Sequence, residues 1–461
     1  MNKKKAILLI GRGDTFRHYI QGMIDIFQNE YEVLVLEYKK EITYSNKHTR
    51  VHLPTTRNSN DPNFWGKVRS VEKEMGLNLF ESYSNYLYYG RLAQEANIDH
   101  SSYWLSKDQL GLDYMQAYDF MKDMTDNYDI QFAFHDTIDL ILLQMVEAFS
   151  KNKNFGFYHT LIKPGIFNNR ALLSYGIARK SALFTKYLEN GITPTPEETR
   201  IINEIISQFN ETKPTLSYLK NYSQKLITLN EIKKIPIRLK NLPYGFKRLC
   251  NRLYLKKQTA NFSLEAAGKY ILFFLHHQPE ATTTSAASQY VDQWKIVEEL
   301  AIHGPSDINI IIKAHPFSYG WQGKKYYEKL LRLENVMMAP ISYPGKELIQ
   351  KAHAVITING SIGLEALLYN TPAYTLGDAW YSHPKYIQNI NSPRDLLSLL
   401  DAPTRLSEIE KLQVLASSYR ASFDFFVDHS TKYATEKRNS GQNLANHVLE
   451  NKEIYFSRVD I

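Results

Sequence analysis

Apolar positions along this chain fall in short unbroken blocks rather than in alternation. Lys5–Ile10 (KAILLI), Tyr31–Glu37 (YEVLVLE), Ile130–Phe134 (IQFAF) and Phe155–Tyr158 are runs of strand length in the first half. Tyr270–Leu275, Ile308–Lys313, Val336–Ala339, Ala354–Ile358 and Ala373–Leu376 continue the series in the second half. Continuous apolar runs of this length suit strands buried on both faces, as in a parallel sheet. Between them lie helix-length segments: Phe16–Gln28, Leu110–Asn127, Ile138–Phe149, Tyr290–His303, Lys324–Leu333, Gly345–Ala352 and Ser361–Tyr369. Strand and helix in turn predict an α/β architecture.

The blocks are interrupted twice. Residues 40–110 are polar and aromatic with weak periodicity, which predicts helices and long loops. Residues 180–260 read as helical and basic, broken by Pro194, Pro196, Pro214, Pro236 and Pro243. The expected layout is an α/β domain over 1–212 and a basic helical linker over 213–262. A second α/β domain over 263–402 and C-terminal helices over 403–461 complete it. Those last helices are free to pack back on the first domain.

The polar residues that end the strands carry the candidate chemistry. Tyr270–Leu275 stops at His276-His277-Gln278-Pro279-Glu280, followed by Thr282–Thr284; Ile308–Lys313 stops at Ala314-His315-Pro316; Ala354–Ile358 stops at Asn359-Gly360-Ser361-Ile362-Gly363. In an open α/β sheet the C-terminal strand edge is where ligands bind. His277 and His315 can donate to a phosphate, and Lys313 can add charge. Gly360, Ser361 and Gly363 are small residues leading into a helix, whose positive end attracts phosphate. Glu365, one turn into that helix, can accept from a ribose or sugar hydroxyl, or cap its own helix. Glu280 and Thr282 can face the same pocket, while Asp292 and Trp294 read as structural.

In the first half, Lys5–Ile10 runs into Gly11-Arg12-Gly13-Asp14 and a helix, a nucleotide-binding-like start without the dinucleotide fingerprint. Ile130–Phe134 ends in His135-Asp136, with Asp136 or Thr137 placed to cap the next helix. Phe155–Tyr158 ends in His159, followed by an expected loop over Thr160–Arg170. Asp14, Asp136 and His159 are thus the titratable groups at the strand ends of this half.

Composition narrows the classes. With 461 residues, 43% hydrophobic and 22% charged, the chain is that of a globular protein with room for two cores. Its 32 tyrosines suit carbohydrate surfaces, and equally an AT-rich genome. Cys250 alone excludes an internal disulfide. Ala6–Ile10 is too short for a signal-peptide core and no apolar run reaches membrane-spanning length, so the expectation is cytoplasmic. The net charge of +7 is uneven, since 213–257 hold twelve Lys/Arg against the single acid Glu231. Such a stretch reads as a contact with the inner membrane surface or as a solvated linker. No nucleic-acid module accompanies it. There is no D-x-D, no P-loop spacing and no metal-ligand grouping of histidines, so neither metal nor cofactor is expected.

Four stretches together resemble the capsule polysaccharide biosynthesis family, which includes the Kdo transferases of capsule export systems. They are His277-Gln278-Pro279-Glu280-Ala281-Thr282-Thr283 with Asp292-Gln293-Trp294, then Lys313-Ala314-His315-Pro316. Thr357-Ile358-Asn359-Gly360-Ser361-Ile362-Gly363-Leu364-Glu365-Ala366-Leu367 and Gly377-Asp378-Ala379-Trp380-Tyr381 follow in order. The resemblance covers roughly 268–385. It implies a GT-B-like fold, two Rossmann-type α/β domains with parallel sheets facing an inter-domain cleft. The nucleotide-sugar donor, CMP-activated Kdo or a related ulosonic acid first, would be held by the C-terminal domain. The acceptor, a lipid-linked or oligosaccharide terminus, would lie on the N-terminal side, which makes Asp14, Asp136 and His159 the candidate catalytic residues for taking the proton of its hydroxyl. Family members often carry an acid after the strand equivalent to Phe155–Tyr158, where His159 stands here. The alternatives are a polyol-phosphate transferase using a CDP-glycerol-type donor, and a non-catalytic carbohydrate-binding or assembly protein.

Overall fold

The apolar run at the start of the chain does form a central strand, β1 (Lys4–Gly11), with Ala6 to Ile10 fully buried. The computed structural model describes residues 3–458 apart from 12, 38–43, 46, 55–60, 96–103, 137–140, 163–165, 168, 178, 212–241 and 429–431. Most of the basic stretch, 213–241, and the expected cap Thr137 thus lie outside the described residues. The chain divides into two compact units. One comprises Met1–Leu87, Trp104–Pro194 and Gln413–Ile461; the other comprises Tyr88–Tyr103 and Thr195–Leu412.

In the first unit β1 is followed by the helix Arg17–Phe27 and then β2 (Glu32–Glu37), parallel to β1 with Ile7 opposite Val33. β3 (Thr49–Val51) extends that side of the sheet, while β4 (Tyr128–His135) pairs with the other side of β1. β5 (Gly156–Ile162) joins β4 in parallel. The helices Phe64–Met75, Lys107–Asn127 and Ile141–Lys153 supply one apolar layer, packing Phe64, Tyr114, Met121 and Met145 with Leu8 and Ile10 of β1.

Here the sequence expectation needs correcting. β5 runs on through Ile162, and β6 (Arg170–Tyr175) returns beside it antiparallel, with His159 opposite Ser174. The segment expected as a loop from Thr160 therefore begins as strand, and His159 sits within the ladder. Leu161-Ile162 continues the apolar run after the two polar residues His159 and Thr160, and Arg170–Tyr175 pairs with this strand.

The second unit is a six-stranded parallel sheet. β7 (Tyr270–Phe274), β8 (Asn309–Lys313) and β9 (Val336–Met338) lead outward in one direction. β10 (Ala354–Thr357) then returns to the other side of β7, and β11 (Ala373–Thr375) and β12 (Gln388–Asn389) continue outward from it. The order is β12-β11-β10-β7-β8-β9, so the winding reverses between β7 and β10. At such a reversal the flanking loops part and leave a crevice at the C-terminal edge. The expected helix from Tyr290 is a short 3₁₀ turn, Ser288–Tyr290, followed by the helix Gln293–His303.

After Pro403 the chain is not purely helical. A short strand, β13 (Phe423–Asp424), pairs antiparallel with β6 of the first unit. The helix Ala434–Glu450 then packs along Arg17–Phe27. Their backbones touch: a Cβ on Gly22 would stand 2.0 Å from the carbonyl oxygen of Arg438, and one on Gly441 2.1 Å from that of Tyr19. Tyr19 itself stacks on Phe425, with ring centres 5.0 Å apart, and donates its hydroxyl to the carbonyl of Phe426 at 2.8 Å. Among the described residues no helix is long and apolar enough to cross a membrane.

Candidate functional site

The loop after β7 lies between the loops after β10 and β8, and specific side chains tie it to each. His276 faces β10. Its Nε2 accepts from the Ile358 amide at 3.2 Å and lies 3.0 Å from the Thr357 hydroxyl. Thr357 Oγ1 in turn accepts from the Gly360 amide at 3.3 Å. An Nε2 that accepts from an amide fixes the His276 proton on Nδ1. The buried Gln293 clamps the same residue by its backbone, accepting from the His276 amide at 2.7 Å and donating to its carbonyl at 3.3 Å. His276 is thus a structural knot between the two strand ends.

His277 turns the other way, towards β8. Its ring centre is 5.5 Å from that of His315 and 5.1 Å from Trp321, with Phe317 at 6.2 Å. Burial lowers its pKa, against the opposing pull of the Glu280 carboxylate. Its Nδ1 is buried and has no hydrogen-bond partner among the described residues. His315 caps the 3₁₀ turn Pro316–Ser318, its Nδ1 accepting from the Phe317 amide at 3.2 Å. The ring proton of the neutral form therefore sits on Nε2, which becomes the donor. Burial, and secondly the neighbouring His277, lower the His315 pKa to about 4, so this donor is neutral near pH 7.

Lys313 does something the spacing could not show. Its amine donates to three backbone carbonyls, those of Pro340 at 2.9 Å, Ile341 at 3.2 Å and Tyr343 at 2.8 Å. Burial lowers its pKa to about 8. The geometry makes it a brace for the 340–343 turn.

On the β10 side, Asn359 donates to the Thr282 carbonyl at 2.7 Å and so joins the first and third motifs. Thr282 donates to the Glu280 carboxylate at 3.0 Å, and Glu280 is exposed. Ser361 donates to Glu365 at 2.9 Å, while burial raises the Glu365 pKa. A Cβ on Gly363 would come within 2.6 Å of the Tyr381 hydroxyl. That hydroxyl donates to the Gly360 carbonyl. The glycine at 363 therefore makes room for the tyrosine that closes the fourth motif.

Three residues of this surface escaped the reading of the sequence. Phe317, 49% exposed, and Trp321 flank the two histidines, and the Arg248 guanidinium lies over the Trp321 ring at 4.6 Å. Trp321 and Arg248 lie outside the four motifs. The proximity of Phe317 to His315, next to Pro316, was the one available signal.

The candidates of the first unit are less alike than their strand-end positions suggested. The winding reverses there between β1 and β4, so Asp14 and Asp136 follow the two strands that flank the switch point. Asp14 is exposed; Asp136 is half-buried, 3.5 Å from the Nε2 of His135, whose Nδ1 is 2.7 Å from the Ile10 carbonyl. Glu37, at the end of β2, is a carboxylate the sequence reading passed over. It accepts from Tyr44 and from the Gly13 amide, and burial raises its pKa. A Cβ on Gly11 would lie 2.1 Å from its Oε1, so any larger residue there would have to displace the Glu37 carboxylate.

His159 is buried, and burial lowers its pKa to about 3. It is a weak proton acceptor near neutrality, which leaves the carboxylates as better candidates. Burial likewise lowers the pKa of His447, whose Nε2 is 3.0 Å from the Tyr455 hydroxyl, to about 4. Both histidines bind protons more readily in the unfolded chain. Their contribution to stability is therefore complete above about pH 6.5 and declines as pH falls towards the folded values. The expected loss between pH 6.5 and pH 5 is about 2 kcal/mol for each, or roughly 10 °C in Tm for the two. Calorimetry at the two pH values measures it, and His447→Gln should flatten the dependence. An unchanged Tm would contradict the burial of these rings as neutral groups.

The family match falls within the second unit. Residues 263–386 match the family model described as "Capsule polysaccharide biosynthesis protein". The chain is 31% identical over 94 residues to the capsule polysaccharide modification protein LipB of Neisseria meningitidis serogroup A, covering 19% of this chain and 22% of that one. It is 35% identical over 81 residues to the capsule polysaccharide export protein KpsS of Escherichia coli, covering 17% and 21%. The match thus spans about a fifth of the length of these relatives. Among solved structures, the Thermosulfurimonas dismutans KpsC β-Kdo 2,7 transferase aligns over 74% of this chain and 90% of its own, at 13% identity and a TM-score of 0.37. Over the stretch that carries the four motifs and the His277–His315 cluster, the chain matches the capsule polysaccharide biosynthesis family.

Proposed function

We propose that the chain is a glycosyltransferase of capsule or surface-polysaccharide synthesis that takes its sugar from a nucleotide-activated donor. The first expected donor is CMP-linked Kdo or a related ulosonic acid, with a lipid-linked or oligosaccharide terminus at the inner membrane face as acceptor. The carrying observation is the pair His277 and His315, with rings 5.5 Å apart at the ends of β7 and β8. One offers a buried nitrogen without a partner among the described residues, the other a neutral Nε2–H. In the reaction the bond from the anomeric carbon to the phosphate oxygen breaks as the acceptor oxygen bonds to that carbon. His315 donates to the departing phosphate, whose growing charge strengthens the hydrogen bond. The 276–284 and 357–365 loops shape the rest of the donor site, with Glu365 accepting from a hydroxyl. The acceptor proton is assigned to a strand-end carboxylate of the first unit, Asp14, Asp136 or Glu37.

A thermal-shift panel of CMP-, CDP-, UDP- and GDP-linked compounds tests the reading. CMP-sugars alone should stabilise the protein, by about 2.7 kcal/mol at a hundredfold excess over Kd. Stabilisation only by CDP-linked polyols would replace it with a polyol-phosphate transferase. No shift with any nucleotide would point to a carbohydrate-binding or assembly protein.

A further inference from the structure

The helix Leu242–Gln258 is amphipathic in an inverted sense. Its inner side is tied to the second unit: Leu255 is fully buried, and Asn251 donates to the carbonyls of Gly320 at 3.1 Å and Gln322 at 2.9 Å. Arg248 stacks on Trp321, and Arg252 donates to the Tyr319 carbonyl at 3.0 Å. The opposite side carries Phe246, Leu249 and Leu253, exposed by 67%, 53% and 60%. At 100° per residue these three fall within a 60° arc, so they form one stripe along the helix.

Its borders are basic. Exposed Arg252 and Lys256 flank the stripe on one side and Lys247 on the other, while Lys257 borders it at the C-terminal end. The helix contains five Lys/Arg and no acid, and residues 213–241, which precede it, contain seven against Glu231. An apolar stripe bordered by long cationic side chains matches a surface that is apolar beneath and anionic at its rim. The rings and leucines enter the acyl boundary while the ammonium groups reach the headgroups.

We propose that the outward face of Leu242–Gln258 docks on an anionic lipid bilayer, with Phe246, Leu249 and Leu253 inserted and Lys247, Lys256 and Lys257 at the headgroups. Its inner face holds the 319–322 turn, and that turn supplies Trp321 to the His277–His315 cluster. Docking would therefore bring the donor-site candidate to the surface where a lipid-linked acceptor is anchored. The docking itself does not depend on the donor assignment.

Flotation of the full chain with phosphatidylcholine vesicles containing about one-third phosphatidylglycerol, and with pure phosphatidylcholine, tests it. Wild type should bind the anionic vesicles and be released as salt rises from about 0.1 M to about 1 M, where the Debye length shrinks to about 3 Å. The triple variant Phe246→Ser, Leu249→Ser, Leu253→Ser should lose about tenfold or more in partition, with an unchanged melting temperature because the three side chains are solvent-facing. A polarity-sensitive dye on Cys250, the chain's single cysteine and exposed on this face, gives a second readout that needs no stripe variant. Its emission should shift to the blue on anionic vesicles. Equal binding by the triple variant, equal binding to neutral vesicles, or an unshifted dye would overturn the proposal. So would a wild-type dimer that the triple variant dissociates, since the stripe would then belong to a second copy.

Discussion

Replacing His315 with alanine is expected to lower transfer from the nucleotide sugar by about 10²- to 10³-fold, the range found for a lost donor to developing charge. The ring is half-buried and opens no core cavity, so the fold should persist. Its second task, capping Pro316–Ser318 through Nδ1, would also be lost. His315→Asn separates the two, because asparagine is a good capping acceptor and lacks a ring donor at the Nε2 position. Stability should return in that variant while transfer stays low. Wild-type turnover by His315→Ala with the correct donor would remove His315 from the site.

The second large effect is structural. Gly441→Val is expected to destabilise the first unit by about 3 kcal/mol, at the upper end of the cost of overpacking. The added carbons would meet backbone: the Tyr19 carbonyl oxygen lies 2.1 Å, and Gly22 Cα 3.1 Å, from the position of a Cβ. Neither can swing aside as a flexible side chain would, so the helices Arg17–Phe27 and Ala434–Glu450 must part. Parting them also strains the stacking of Tyr19 on Phe425. A urea titration should show a lower midpoint with an unchanged slope. An unchanged midpoint would mean that the two helices are not in backbone contact.

Much of the sheet framework was legible because burial on both faces writes itself as unbroken apolar runs. β7, β8 and β10 each fall within one residue of the run that announced them, and their ends coincide with polar loops. What escaped depended on partners distant in sequence. Thr160 interrupts an apolar run with a hydroxyl, and only the pairing with Arg170–Tyr175 shows that the strand continues. A lysine at a strand end reads as charge for a ligand until the carbonyls of Pro340, Ile341 and Tyr343 surround it. Two adjacent histidines turn opposite ways, but Thr357 and Gln293, far along the chain, fix His276 in its structural place. Gly22 and Gly441 are unremarkable in sequence because their meaning lies in each other. Phe246, Leu249 and Leu253 have the helical spacing that a core face would also show, and only the fold shows that they face outward.

The central claim is that donor nucleotide is held by the loops after β7, β8 and β10. Hydrogen–deuterium exchange of the full chain, with and without saturating CMP, measures this directly. Protection should concentrate in peptides covering 276–284, 313–318 and 357–365, and should be lost together in His315→Ala. Binding of CMP without protection in those three loops, or with protection confined to other segments, would contradict it.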